Sequence, residues 1–86
     1  FSAFFKTDLD KILEEKNIDK IIVAGINTMS CVRTTAIDAY QRDYKVVLAL
    51  DCVDGHDVYQ HECSLKYLSY AVADLKSNSE ISKKEV

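Results

Sequence analysis

The sequence has 86 residues, which is enough for one small domain. It contains 48% hydrophobic residues, and its 14 acidic and 11 basic side chains give a net charge of −3. This mild negative charge argues against a nucleic-acid partner, which calls for a clustered basic surface. No apolar run approaches the ~20 residues that span a bilayer, so a membrane partner is not expected either.

The first predicted element is a helix near the start of the chain. Thr7 or Asp8 can cap it, and its apolar residues Leu9, Ile12 and Leu13 recur at helical spacing. Acidic residues in the first turn suit the positive end of the helix dipole.

Two apolar runs rich in β-branched residues follow, at residues 18–25 and 44–51, and both are typical of parallel strands buried on both faces. Between them we expect a helix from about residue 30 to residue 42, and after them a third helix over residues 58–75. Residues 76–86 are expected to form a short edge strand or a tail. The side chains predicted to face the core are Val32, Ala36, Ala39 and Tyr40 in the second helix, and Val58, Leu65, Leu68, Ala71, Val72 and Leu75 in the third.

This alternation of helices and strands predicts an α/β fold with right-handed crossovers and a parallel sheet. Two parallel strands cannot bury themselves, because each needs neighbours at its edges and helices on both faces. We therefore expect the chain to form part of a larger doubly wound, Rossmann-like domain with three α/β/α layers.

Cys31 lies at the most informative place in the sequence, where the loop 25–30 leads from the first strand into the second helix. Ligands of open parallel sheets bind beyond the carboxyl ends of the strands. The unpaired N–H groups and partial positive charge of a helix amino end favour a thiolate and can hold an oxyanion. Cys31 is also off the predicted apolar stripe. Free cysteine is nevertheless among the most buried residue types, so position alone leaves both catalysis and packing open.

Four stretches of the sequence together form a recognisable pattern. They are Phe1-Ser2-Ala3-Phe4, Thr7-Asp8-Leu9, Gly25-Ile26-Asn27-Thr28-Met29-Ser30-Cys31-Val32 and Thr35-Ala36-Ile37-Asp38-Ala39. In this order they resemble the isochorismatase-like cysteine hydrolase superfamily, which includes nicotinamidases, N-carbamoylsarcosine amidases and isochorismatases. The resemblance implies that residues 1–75 are the C-terminal half of such a hydrolase domain.

The resemblance also implies the roles of several residues. Cys31 would attack an amide-type carbonyl and form a thioester, and the backbone N–H groups of Asn27 and Cys31 would form the oxyanion hole. A cis peptide bond is expected between Ile26 and Asn27. Phe1 and Phe4 are candidates for the wall of the substrate pocket, and core packing is the alternative for both.

Further expectations concern the whole protein. The family's catalytic aspartate and lysine have no counterpart in this chain, so we expect them in a missing N-terminal half without which the 86 residues are inactive. The expected partners are a small-molecule substrate and other copies of the protein, with no cofactor. Two alternatives remain open, namely cleavage of a vinyl ether, which Cys31 disfavours because isochorismatases typically have glycine there, and a non-catalytic binding or oligomerisation role.

A metal site is a weaker interpretation of the stretch 51–63, where Cys52, His56, His61 and Cys63 are close in sequence. The two histidines have a spacing found in zinc sites, but the cysteines bracket them in an unusual order. We therefore predict no metal. The three cysteines form no C-x-x-C pair, and their odd number makes a poor disulfide framework, which favours a reducing compartment such as the cytoplasm.

Overall fold

The computed structural model describes the backbone of residues 1–85 and the side chains of residues 1–83. Helices and strands alternate along this part of the chain. The elements are α1 (Leu9–Glu15), β1 (Lys20–Ile26), a π-helical turn (Thr28–Val32), α2 (Arg33–Gln41), β2 (Lys45–Asp54), α3 (Val58–Ala71), β3 (Ala73–Lys76) and α4 (Asn78–Glu85). None of the helices among the described residues is long and apolar enough to cross a membrane.

The three strands form one parallel sheet in the order β1-β2-β3. The pairing of β1 with β2 starts at Lys20 opposite Lys45 and shifts at a bulge between Val23 and Gly25. Ile26 then pairs with Asp54, so the carboxyl ends of the two strands lie side by side. The predicted α/β fold with a parallel sheet is confirmed.

The core lies between the sheet and the helices α2 and α3. Val46 and Leu48 of β2 belong to the same buried cluster as Ala36 of α2 and Leu68 of α3. Successive side chains of a strand point to opposite faces, yet Val47 is buried as well. Strand β2 is therefore covered on both faces, as its continuous apolar run predicts.

The buried faces predicted for the helices are correct at their central residues and wrong at two residues near helix ends. Val32, Ala36 and Ala39 are buried as expected, whereas Tyr40 is 52% exposed and Val58 is 73% exposed. Tyr40 lies near the end of α2 and Val58 begins α3. Apolar spacing alone overestimated their burial, because a helix extends beyond the surface that it packs against.

The carboxyl-terminal elements differ from the prediction. The third helix ends at Ala71 rather than residue 75, because Ala73–Lys76 pairs with β2 as strand β3. The edge strand or tail expected over residues 76–86 is wrong for residues 78–85, which form α4, and residue 86 lies outside the described residues. Ser77 and Glu80 form a reciprocal capping box, in which Ser77 N–H donates to Glu80 Oε1 at 2.9 Å and Glu80 N–H donates to Ser77 Oγ at 3.2 Å. This S-x-x-E pattern is a sequence signal for the start of α4, and the spacing of apolar residues did not show this helix.

Candidate active site

The site is built on the segment that leaves the carboxyl end of β1. Gly25 has a φ of +127°, which an L side chain rarely adopts. The peptide bond between Ile26 and Asn27 is cis, which is the position that the family resemblance implies. The chain then enters the π-helical turn Thr28–Val32, which leads directly into α2.

Backbone hydrogen bonds hold this turn around Cys31. The carbonyl of Asn27 accepts from the N–H groups of Ser30 at 3.1 Å and Val32 at 3.2 Å. The carbonyl of Thr28 accepts from the N–H of Arg33. Asn27 and Cys31, the predicted oxyanion-hole residues, thus belong to one hydrogen-bonded turn. Their role in binding an oxyanion stays a prediction.

Cys31 is a half-buried free thiol within this turn, next to the amino end of α2. Its Sγ lies 3.9 Å from Ser30 Oγ, which is a long and weak contact. The partial positive charge at the amino end of a helix favours a negative charge nearby. The arrangement can therefore receive a carbonyl group, whose oxygen becomes negative during attack, at the carboxyl edge of the sheet.

Phe4 packs in the core. It is 3% exposed, its ring stacks on Tyr44 with 6.0 Å between ring centroids, and the Arg42 guanidinium lies 4.9 Å from its centroid. Tyr44 and Arg42 follow the carboxyl end of α2, whereas Cys31 lies at its amino end. The structure therefore supports the core-packing alternative for Phe4.

Phe1 has a different environment. Its side chain is 88% exposed, and the nearby Ala3 N–H donates a 3.0 Å hydrogen bond to Thr35 Oγ1. Thr35 lies one helical turn beyond Cys31. The hydrogen bond thus holds the backbone near Phe1 close to the amino end of α2, where Cys31 lies. The role of Phe1 in a substrate pocket stays a prediction.

His61 contacts the turn that contains Cys31, and the sequence did not predict this contact. Its Nδ1 lies 2.8 Å from Oγ1 of Thr28, the first residue of the π-helical turn. Thr28 is fully buried and His61 is partly buried. The contact joins residues 33 positions apart, so no local pattern contains it. The sequence showed His61 only as a candidate metal ligand or a residue of a solvated helix face.

The four candidate metal ligands have separate partners or surroundings. Cys52 Sγ donates to Asn78 Oδ1 at 3.3 Å, Cys63 lies beside Tyr59, and His61 contacts Thr28. His56 is exposed. Among the described residues, no three His, Cys, Asp or Glu side chains come together in a group that could hold a metal ion.

The parallel sheet with helices packed against it is an α/β fold of the Rossmann-like class. Comparison with known proteins identifies the family within this class. Residues 1–80 match the isochorismatase domain, so the chain belongs to the isochorismatase family.

Two curated relatives and one solved structure illustrate the similarity. The chain is 34% identical to maleamate amidohydrolase of Pseudomonas putida over 64 residues, which are 74% of this chain and 30% of that protein. It is 34% identical to nicotinamidase of Escherichia coli over 79 residues, which are 85% of this chain and 37% of that protein. The crystal structure of an isochorismatase-like hydrolase from Alkaliphilus metalliredigens superposes with a TM-score of 0.87 and 35% identity, covering 95% of this chain and 46% of that one.

These comparisons confirm the family and the Rossmann-like fold expected from the sequence. They also show that the chain spans less than half the length of these relatives. The described residues thus contain one part of the fold that the longer relatives have.

Proposed function

We propose that the protein containing this chain is a cysteine hydrolase that cleaves a small amide or a related C–N bond, with Cys31 as its nucleophile. The observation that carries the proposal is the position of Cys31. It lies in the turn after the cis peptide bond Ile26–Asn27, at the carboxyl end of a parallel strand and the amino end of α2. The names of two relatives, a nicotinamidase and an amidohydrolase, denote hydrolysis of amides.

The proposed reaction has two steps. In the first, the Cys31 thiolate attacks the carbonyl carbon, an S–C bond forms, and the C–N bond breaks as the nitrogen leaves with a proton. In the second, water attacks the thioester, which releases the carboxylic acid and restores the thiol. The N–H groups of Asn27 and Cys31 are proposed to bind the oxyanion of each tetrahedral intermediate.

Three further parts of the proposal concern the whole protein. A general acid and base are needed to move the protons, and we propose that an aspartate and a lysine outside this chain supply them. Phe1 is proposed to contact the substrate. We also propose that the whole protein assembles with other copies of itself, which light scattering of the purified protein would measure.

The proposal is tested in the whole protein by Cys31→Ala, with nicotinamide and maleamate as candidate substrates. Loss of a nucleophile should reduce kcat by roughly 10⁴-fold or more. Cys63→Ala, which removes an exposed thiol from α3, is the matched control and should leave kcat unchanged. Turnover by Cys31→Ala at the wild-type rate would refute the proposal. A Cys31 peptide that carries the acyl group after rapid quenching would support it directly.

A further inference from the structure

We propose that His61 is a positioning residue for the nucleophile, and that it acts by holding Thr28 at the start of the turn that contains Cys31. This inference rests on the proposed cysteine hydrolase function. It concerns a residue to which neither the sequence pattern nor the family resemblance assigned a catalytic task.

The first observation is the contact itself. His61 Nδ1 and Thr28 Oγ1 are 2.8 Å apart, which is a good hydrogen-bond distance for either tautomer of the imidazole. Thr28 has no solvent exposure, so water cannot replace the imidazole as a partner for its hydroxyl. A buried hydroxyl that loses the partner it has among the described residues is costly, and the turn should shift to avoid this state.

The second observation connects Thr28 to Cys31. The carbonyls of Asn27 and Thr28 accept hydrogen bonds from the N–H groups of Val32 and Arg33, respectively. Both bonds enclose Cys31 within the same turn. A displacement of Thr28 should therefore move the thiol and the N–H group of Cys31 together.

The third observation is that His61 is itself held in place. Asp57 caps α3 by accepting from the N–H of Gln60 at 3.0 Å, and its carbonyl accepts from the N–H of His61 at 2.9 Å. A Cβ atom built on Gly55 would lie 3.4 Å from Met29 Sδ and 3.7 Å from His61 Cβ. The connection before α3 thus packs closely against both the turn and the first turn of α3.

These observations place His61 between a fixed helix end and the turn of the nucleophile. Attack on a carbonyl requires the thiol and the oxyanion donors to be correctly placed relative to each other. A displacement of about 1 Å can lower the rate 10²-fold. In this arrangement His61 acts on the nucleophile through Thr28.

The test uses matched pairs of variants in the whole protein. His61→Leu removes the hydrogen bond, whereas His61→Asn places a polar atom near the position of Nδ1. Thr28→Val removes the hydroxyl with little change of shape, whereas Thr28→Ser keeps it. Gln60→Leu is the control, because Gln60 is the exposed neighbour of His61 on the same helical turn.

The readouts are kcat and KM with nicotinamide or maleamate, and the rate at which iodoacetamide alkylates Cys31. Peptide mapping distinguishes Cys31 from Cys52 and Cys63, which serve as internal controls. We expect His61→Leu and Thr28→Val each to lower kcat about 10- to 100-fold with KM little changed. His61→Asn and Thr28→Ser should restore most of the loss, and the double variant His61→Leu/Thr28→Val should be no slower than either single variant.

A purely structural role would lower the denaturant midpoint and leave kcat and the alkylation rate of the folded protein unchanged. That result would overturn the inference. If His61→Leu does not fold, the comparison of Thr28→Val with Thr28→Ser decides the question in the same way. Failure of the proposed function is distinguishable, because it appears as an active Cys31→Ala variant, whereas failure of this inference appears as an inactive Cys31→Ala with an unaltered His61→Leu.

Discussion

The hydroxyl of Tyr44 donates a hydrogen bond of 2.7 Å to Oδ1 of Asp10, so the residue that precedes β2 is tied to α1. This hydrogen bond is the main reason that the pKa of Tyr44 is raised from 10.0 to about 12. Burial and the negative charges of Asp10 and Glu14 act in the same direction, while the nearby positive charge of Arg42 opposes them.

The raised pKa of Tyr44 predicts a loss of stability in alkaline solution. Above pH 10 the unfolded chain loses the phenolic proton before the folded chain does, so the stabilisation is present below pH 10 and is lost as pH rises towards about 12. Tyr44→Phe should remove this part of the pH dependence. Urea unfolding of both proteins at a series of pH values measures it, and equal slopes between pH 10 and 12 would contradict the prediction.

The parallel sheet could be predicted because its two long strands contain continuous β-branched runs, and Val46 and Val47 are indeed buried on opposite faces of β2. Strand β3 could not be predicted in this way. Its four residues, Ala73–Lys76, contain no β-branched side chain, and their short apolar–polar alternation also fits the helical spacing of the apolar residues before it. They become a strand because pairing with β2 satisfies their backbone groups, and that partner is distant in sequence.

The candidate site shows the same limit. Cys31 and its loop could be found because they lie in one continuous motif at a strand-to-helix junction. The contact between Thr28 and His61 could not, because it depends on how α3 packs against the turn. For Phe4 the sequence left a pocket wall and core packing both open, and only the tertiary structure shows that its ring packs against Tyr44.

Gly25 should tolerate no side chain without loss of stability. Its φ of +127° is outside the range that L residues readily adopt, although a Cβ atom there would meet nothing within 4 Å. The cost of Gly25→Ala is therefore a backbone cost, of about 1–3 kcal/mol. The free energy of unfolding in urea measures it.

Gly55→Ala is the matched control for Gly25→Ala. The added Cβ atom would lie 3.4 Å from the Sδ atom of the flexible Met29 side chain, which can adjust. We expect a change in unfolding free energy below about 0.5 kcal/mol, typical of substitutions that break no special feature. Equal losses for the two variants would show that the conformation of Gly25 is not the cause.

Thr35 should hold the amino-terminal segment on α2. Its Oγ1 accepts a 3.0 Å hydrogen bond from the Ala3 N–H, so Thr35→Val should free this amide. Hydrogen exchange of the Ala3 amide should become faster, and the free energy of unfolding should fall by about 0.5–1.5 kcal/mol. Thr34→Val, at the preceding position, should leave exchange at Ala3 unchanged. Unaltered exchange in Thr35→Val would contradict the prediction.

Ser64 is a place where substitution should stabilise the protein. Its side chain is fully buried on α3, and its Oγ has no hydrogen-bond partner among the residues that the structure describes. A buried polar atom without a partner costs free energy that a methyl group does not. Ser64→Ala should therefore raise the free energy of unfolding, by about 1 kcal/mol.

Ser69→Ala on the same helix gives the comparison that isolates this effect. Ser69 is exposed and its Oγ already donates to the Lys66 carbonyl at 3.0 Å, so its loss should change the unfolding free energy by less than about 0.5 kcal/mol. Both variants have the same change of composition and nearly the same helix propensity gain. A stabilisation found in Ser64→Ala but not in Ser69→Ala therefore comes from removing the buried hydroxyl, whereas destabilisation of Ser64→Ala would mean that this hydroxyl has a partner in the whole protein.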